Sequence, residues 1–305
     1  MAVGLCGQRT VSSSNSYDLN GRRVEGVTAS EQNAGGSSER SLTVTNLNGQ
    51  SVPVEKSEER VLVDSGNLRV VERVIRRYDA NGRPGPTERV RIEERKGSAG
   101  AATILTTIHR ADLNGREQLV EKSTTSLSES GGVKTSNSVV ERPTLNGSLE
   151  ILEKKSELIR DDGPGRSSRE AATFRRDANG HFAQTGREVM ETVKENGRTV
   201  ENAAVYQATT GSALQLVRQT VSRGSRDASG AGRTEVEVYV ADQAGKASGA
   251  REERLRLREQ QVIEKIAVPG GAVETISVRT PAEPGSSTSG AYRKVEERRC
   301  SGECK

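Results

Sequence analysis

The sequence predicts an all-β protein: an elongated array of units about 33 residues long, each contributing two strands. An antiparallel meander is favoured, a β-solenoid is the first alternative and a β-propeller the second. Three observations lead there. A short turn recurs at near-fixed spacing, a second turn falls about half-way between successive copies, and the segments between them are rich in Val, Thr, Ile and charge.

The recurring turn is Asp18-Leu19-Asn20-Gly21, and again Asn46-Leu47-Asn48-Gly49, Asp79-Ala80-Asn81-Gly82, Asp112-Leu113-Asn114-Gly115, Thr144-Leu145-Asn146-Gly147 and Asp177-Ala178-Asn179-Gly180. Tetrads begin at 18, 46, 79, 112, 144 and 177, in steps of 28, 33, 33, 32 and 33. Asn-Gly is the strongest short hairpin signal, because both residues tolerate the positive φ of a type I′ turn. The mid-unit turns are Asp64-Ser65-Gly66-Asn67, Gly97-Ser98-Ala99-Gly100, Ser130-Gly131-Gly132, Asp161-Asp162-Gly163-Pro164-Gly165 and Glu195-Asn196-Gly197.

In chain order, residues 1–17 read as a polar arm, 18–280 as the repeat array, and 281–305 as a Pro/Gly/Ser linker followed by a cysteine-containing tail. Leu68 to Ile75 and Thr234 to Val240 are β-branched and close to period two, as strands are. Leu149 to Ile159 has helix-forming residues, but its equivalents in neighbouring units do not, so it too reads as strand. Arg251 to Lys265 carries good helix formers, yet Leu255 and Leu257 alternate and Val262-Ile263 follows, which favours strand. The tetrad decays after Asp177, while the period continues through Thr209 and Asp242.

Columns follow from the alignment. Val54-Glu55-Lys56, Thr87-Glu88-Arg89, Val120-Glu121-Lys122 and Leu152-Glu153-Lys154 stand eight to ten residues past their tetrad starts. Arg77, Arg110, Arg142 and Arg175 stand two residues before a tetrad. Repeated Glu beside Lys or Arg reads first as cross-strand ion pairing on a solvated face. The Arg column is the candidate anion-binding feature, its guanidinium groups suited to a partner's carboxylates or an anionic polysaccharide.

Composition sets the outer limits. The chain has 305 residues, of which 31% are hydrophobic, 29% charged and 2% aromatic, with no Trp. A core of Val, Leu, Ile and Ala without aromatic anchors suits a thin sheet. The net charge of +4 comes from 46 basic and 42 acidic residues. The interleaved signs self-cancel, which argues against nucleic acid as a partner. No stretch is long and apolar enough for a transmembrane helix, so no membrane span is expected.

The three cysteines are Cys6, Cys300 and Cys304, all terminal. An odd count at the chain ends makes them candidates for an intersubunit disulfide, beside the plainer reading of surface thiols in a frayed tail. His109 and His181 fall in different units with unlike neighbours. There is no P-loop or dinucleotide pattern and no metal-ligand spacing, so no catalytic residue, cofactor or metal is expected.

At Tyr17-Asp18-Leu19-Asn20-Gly21-Arg22 and Tyr78-Asp79-Ala80-Asn81-Gly82-Arg83 the chain resembles the YD repeats of bacterial surface and toxin-shell proteins. Asp-Leu-Asn-Gly-Arg followed by Val-Glu-Lys, at 112–122, is similar to uncharacterised secreted repeat proteins of bacteria, over most of 18–245. The resemblance implies export and a structural role. Together these readings predict a non-enzymatic, extracellular or cell-surface structural protein that self-associates end to end into a homopolymeric filament. The alternative is a monomeric adhesin or scaffold for an anionic glycan.

Overall fold

The computed structural model describes residues 8–34, 36–112, 114–177, 179–208, 213–227, 231–241, 255–281 and 290–301. Its first six strands are β1 (Gln8–Tyr17), β2 (Arg23–Ala34), β3 (Ser37–Thr45), β4 (Ser51–Ser65), β5 (Leu68–Tyr78) and β6 (Pro84–Lys96). Then come β7 (Ala102–Ala111), β8 (Glu117–Ser130), β9 (Val133–Pro143), β10 (Leu149–Gly163), β11 (Arg166–Arg176) and β12 (Phe182–Glu195). The last are β13 (Arg198–Ala208), β14 (Leu214–Arg226), β15 (Gly232–Ala241), β16 (Leu255–Val268), β17 (Gly271–Arg279) and β18 (Arg293–Ser301).

Each strand pairs antiparallel with its neighbours in sequence, and β1 also pairs with β18, from Val11 opposite Ser301 to Ser16 opposite Glu296. The 18-stranded sheet therefore closes on itself. This corrects the expected elongated array, and the solenoid and propeller alternatives with it. A closed barrel has no terminal edge strand, so the open ends on which the filament and homopolymer expectations depended do not exist. Residues 8–17, expected in a polar arm, are a wall strand. Ser14 Oγ hydrogen-bonds Glu296 Oε1 at 2.5 Å across the seam.

The tetrads form the hairpins at one end of the barrel, here the tetrad rim; the mid-unit turns form the far rim. Their geometry differs from type I′. In Asp79–Gly82 the Gly82 N–H donates to the Asp79 carbonyl at 2.9 Å and the Asp79 N–H to the Arg83 carbonyl at 2.9 Å. Asp79 Oδ1 accepts from the N–H of Asn81 at 2.9 Å and of Arg83 at 2.8 Å. Only the glycine enters positive φ, at 75° for Gly82. The aspartate side chain does the capping, so the asparagine keeps an ordinary φ. The type I′ pair stands instead on the far rim, at Asn196 (φ 50°) and Gly197 (φ 74°).

Closure has a repeated local cause. Near the tetrad rim, every even-numbered strand carries extra backbone relative to its preceding partner. The extra residue is Val24, Val54, Val120, Leu152, Thr185, Val217, Arg258 or Val295, and in β6 the irregularity falls at Gly85-Pro86. A β-bulge bends its strand and increases local twist. Nine bends at one level, one per hairpin, curl the sheet in one direction.

The wall is one sheet thick. Among the described residues the buried apolar side chains are Val70, Val71, Val221, Val238, Val262 and Ile276, and no large side chain is fully buried. The substantial contacts of every strand are with its ladder neighbours, so no described element fills the interior.

Candidate functional site

Residues directly opposite in an antiparallel ladder point to the same side, so the register sorts the wall into two faces. The first face holds Val71, Ile75, Glu88 and Ile108; the second holds Val70, Val74, Arg89 and His109. Both meet at the tetrad rim with different chemistry.

On the first face the Arg column and the Glu column interleave around the circumference. Arg77 (β5) lies between Glu55 (β4) at 3.2 Å and Glu88 (β6) at 3.3 Å. Arg110 (β7) reaches Glu88 at 2.8 Å, Arg142 (β9) reaches Glu121 (β8) at 3.1 Å, and Arg175 (β11) reaches Glu153 (β10) at 2.8 Å. Among the described residues Glu88 and Glu153 are the two buried charged ones, at 7% and 8% exposure. Each of the four arginines is thus ion-paired. The column presents alternating sign instead of an uninterrupted positive stripe.

On the second face the same rim is aromatic. The chain has five Tyr and two Phe. Tyr17 and Tyr78 end β1 and β5, Phe182 begins β12, and Phe174, Tyr206 and Tyr239 lie two residues before the ends of β11, β13 and β15. Tyr292 immediately precedes β18. All seven rings therefore stand within three residues of the tetrad rim. The six in strands share the second face by register. Tyr292 joins them through Arg279, stacked 4.6 Å from its centroid.

Cations accompany the rings. Lys154 and Arg176 lie 4.4 and 5.5 Å from Phe182, Arg187 lies 5.9 Å from Tyr206, and Lys294 lies 4.6 Å from Tyr17 across the seam. Such exposed pairs are worth about 0.5–1 kcal/mol each. Sequence reasoning missed this belt because it treated 2% aromatic content as an absence. The distance of each ring from a tetrad or its decayed equivalent is the signal that reveals it.

At mid-strand both faces are charged. The second face has Arg89–Glu72 at 3.7 Å, Arg187–Glu170 at 2.8 Å and Arg223–Glu237 at 3.0 Å, while the first has Arg73–Glu59 at 2.5 Å and Arg298–Glu274 at 3.1 Å.

Cys300, in β18 opposite Ser12 of β1, is disulfide-bonded. Cys6 and Cys304, grouped with it as candidates for a joint between subunits, lie outside the described residues. His109 sits in β7 opposite Arg89 and Leu119, and the His181 backbone N–H donates to Asp177 Oδ1 at 2.9 Å. The two imidazoles belong to different strands. Among the described residues no group of three His, Cys, Asp or Glu could hold a metal ion.

No protein-family model matches the chain, and no curated protein sequence matches it. Solved structures do. OpdO of Pseudomonas aeruginosa matches with a TM-score of 0.55 and 9% identity, over 97% of this chain and 96% of that one. A second structure of it, titled OccK3 (OpdO), gives 0.57 and 10% over 96% and 94%. OccK5 (OpdH) of the same organism gives 0.57 and 8% over 96% of each chain. At such identities the likeness is one of fold: a closed 18-stranded barrel of the outer-membrane porin kind. It corrects the resemblance to YD-repeat and secreted β-repeat proteins, and the filament and adhesin readings built on it. The expectation of no membrane span is corrected as well. It rested on the lack of an apolar helix, and among the described residues there is no helix long and apolar enough to cross a membrane. A barrel crosses with strands, so that lack has no bearing.

Proposed function

We propose that the protein is a channel of the bacterial outer membrane, passing small polar solutes through a water-filled barrel. The observation that carries this reading is the closed wall of 18 strands with no described element across its interior. At strand spacings of about 4.8 Å and tilts of about 40°, such a wall measures roughly 110 Å around. Barrels of 16–18 strands leave an aqueous passage. The fold shared with OpdO and OccK5, which are outer-membrane channel porins, supports both this reading and a place in the outer membrane, at the cell surface. A channel needs no catalytic group.

One property sets this wall apart from an ordinary lipid-facing barrel. Charges stand at mid-strand on both faces, and an Arg or Lys at the lipid-facing midplane costs about 2–4 kcal/mol. Presenting them as cross-strand ion pairs offsets part of that cost. Insertion is therefore the deciding assay. Refolded protein added to a planar lipid bilayer is expected to give stepwise, long-lived conductance. A folded barrel that stays in the aqueous phase and gives no steps would contradict the channel.

A further inference from the structure

Seven Asn-Gly pairs stand at hairpin turns: Asn20-Gly21, Asn48-Gly49, Asn81-Gly82, Asn114-Gly115, Asn146-Gly147 and Asn179-Gly180 on the tetrad rim, and Asn196-Gly197 on the far rim. All seven asparagines are exposed, so water reaches each of them. Asn-Gly is also a reactive pair. The glycine nitrogen, with no Cβ beside it, bonds to Cγ of the asparagine while the side-chain amide takes up the proton and leaves as ammonia. Water then opens the cyclic imide to aspartate or isoaspartate. The glycine N–H must be free to give up its proton, and the turn must rotate to bring the two atoms together.

The turns differ in how firmly they hold those groups. In all six tetrads the glycine N–H donates to the carbonyl of the first tetrad residue, at 2.9–3.0 Å. In five of them Oδ1 of that first residue also accepts the asparagine N–H, at 2.8–3.0 Å, and the N–H of the residue after the glycine. The sixth begins with Thr144, whose hydroxyl turns to Ser148 and leaves the Asn146 N–H without that cap. The seventh pair is built otherwise. Asn196 (φ 50°) and Gly197 (φ 74°) are the central residues of a type I′ turn. Neither N–H has a partner among the described residues.

We infer that Asn196 is a site of spontaneous covalent modification, converted through the cyclic imide to aspartate and isoaspartate, while the tetrad asparagines are protected by their turns. Rotating a capped tetrad breaks three hydrogen bonds, each worth roughly two- to tenfold. The product places a carboxylate within two residues of Lys194 and Arg198 on the far rim, where Arg166 pairs with Glu195 at 3.8 Å. In its isoaspartate form it also adds one backbone atom to the two-residue loop joining β12 to β13. The inference is independent of the channel reading.

Folded protein warmed at mildly alkaline pH, digested at intervals and read by peptide mass gives the rate at each pair. Conversion at Asn196 is expected to be at least about tenfold faster than at Asn20, Asn48, Asn81, Asn114 and Asn179, with Asn146 between. In urea that unfolds the barrel the seven rates should converge. Asp79→Ala, which removes the cap from Asn81, should speed conversion at Asn81 and leave Asn196 unchanged. Capped tetrads converting as fast as Asn196 in the folded protein, no conversion at Asn196, or a spread of rates that persists in urea would overturn the inference.

Discussion

The two faces of the wall at the tetrad rim are built from the same strands and differ in almost everything else. One carries Glu55, Arg77, Glu88 and Arg110 in an unbroken chain of ion pairs. The other carries the rings, from Tyr17 to Tyr292, with cations stacked beside them. Adjacent residues are enough to make both: Arg77 is ionic on the first face and Tyr78 aromatic on the second. A period of two lets one short segment serve two surfaces.

Deleting a bulge residue should break the comparison most severely. Without Val120, β8 loses the bend that curls the wall, although plain alternation leaves Leu119 opposite His109 and Gln118 opposite Arg110. The expected loss exceeds about 4 kcal/mol, and protease resistance of the folded barrel should disappear. Glu88→Ala acts on the ionic face alone. It leaves Arg77 and Arg110 without their shared carboxylate, at an expected cost of about 1–2 kcal/mol in urea unfolding, since both arginines are half in water. Glu88→Gln should recover part of that. Gly82→Ala forces a side chain into φ 75°, where the nearest atoms, on Val52 and Pro53, stand at 3.7 and 3.9 Å. The strain is therefore conformational, about 1–2 kcal/mol, and urea midpoints should show it without loss of the ladder. Tyr239→Phe is the mildest. It removes the hydroxyl that donates to Glu237 at 3.2 Å, and about 0.5–1 kcal/mol should follow.

The tetrads were legible because Gly at a fixed offset from Asp is a local property of the chain. Their turn type was not, since the capping by Asp79 Oδ1 frees Asn81 from positive φ and no residue name announces it. Val54, Val120 and Leu152 were visible as a column but read as ladder residues. Their extra-residue status depends on the partner strand's count, which a single segment does not contain. Closure was hidden for the same reason. The Ser-rich run at Ser12 to Ser16 has poor strand propensity, and it is extended because β18 and β2 hold it from both sides. The Arg column was found and its environment was not: Glu88 lies eleven residues beyond Arg77, yet both faces of that pairing were already in the repeat. The belt needed only a different question, where the few rings fall relative to the turns.

The closed seam is the claim on which the rest depends, and it can be measured directly. Asn15 of β1 and Glu297 of β18 are opposite each other. Spin labels at both positions should lie within about 20 Å and show strong dipolar broadening. An open 18-stranded sheet would hold them roughly 80 Å apart at about 4.8 Å per strand, with no broadening, and that result would contradict the barrel.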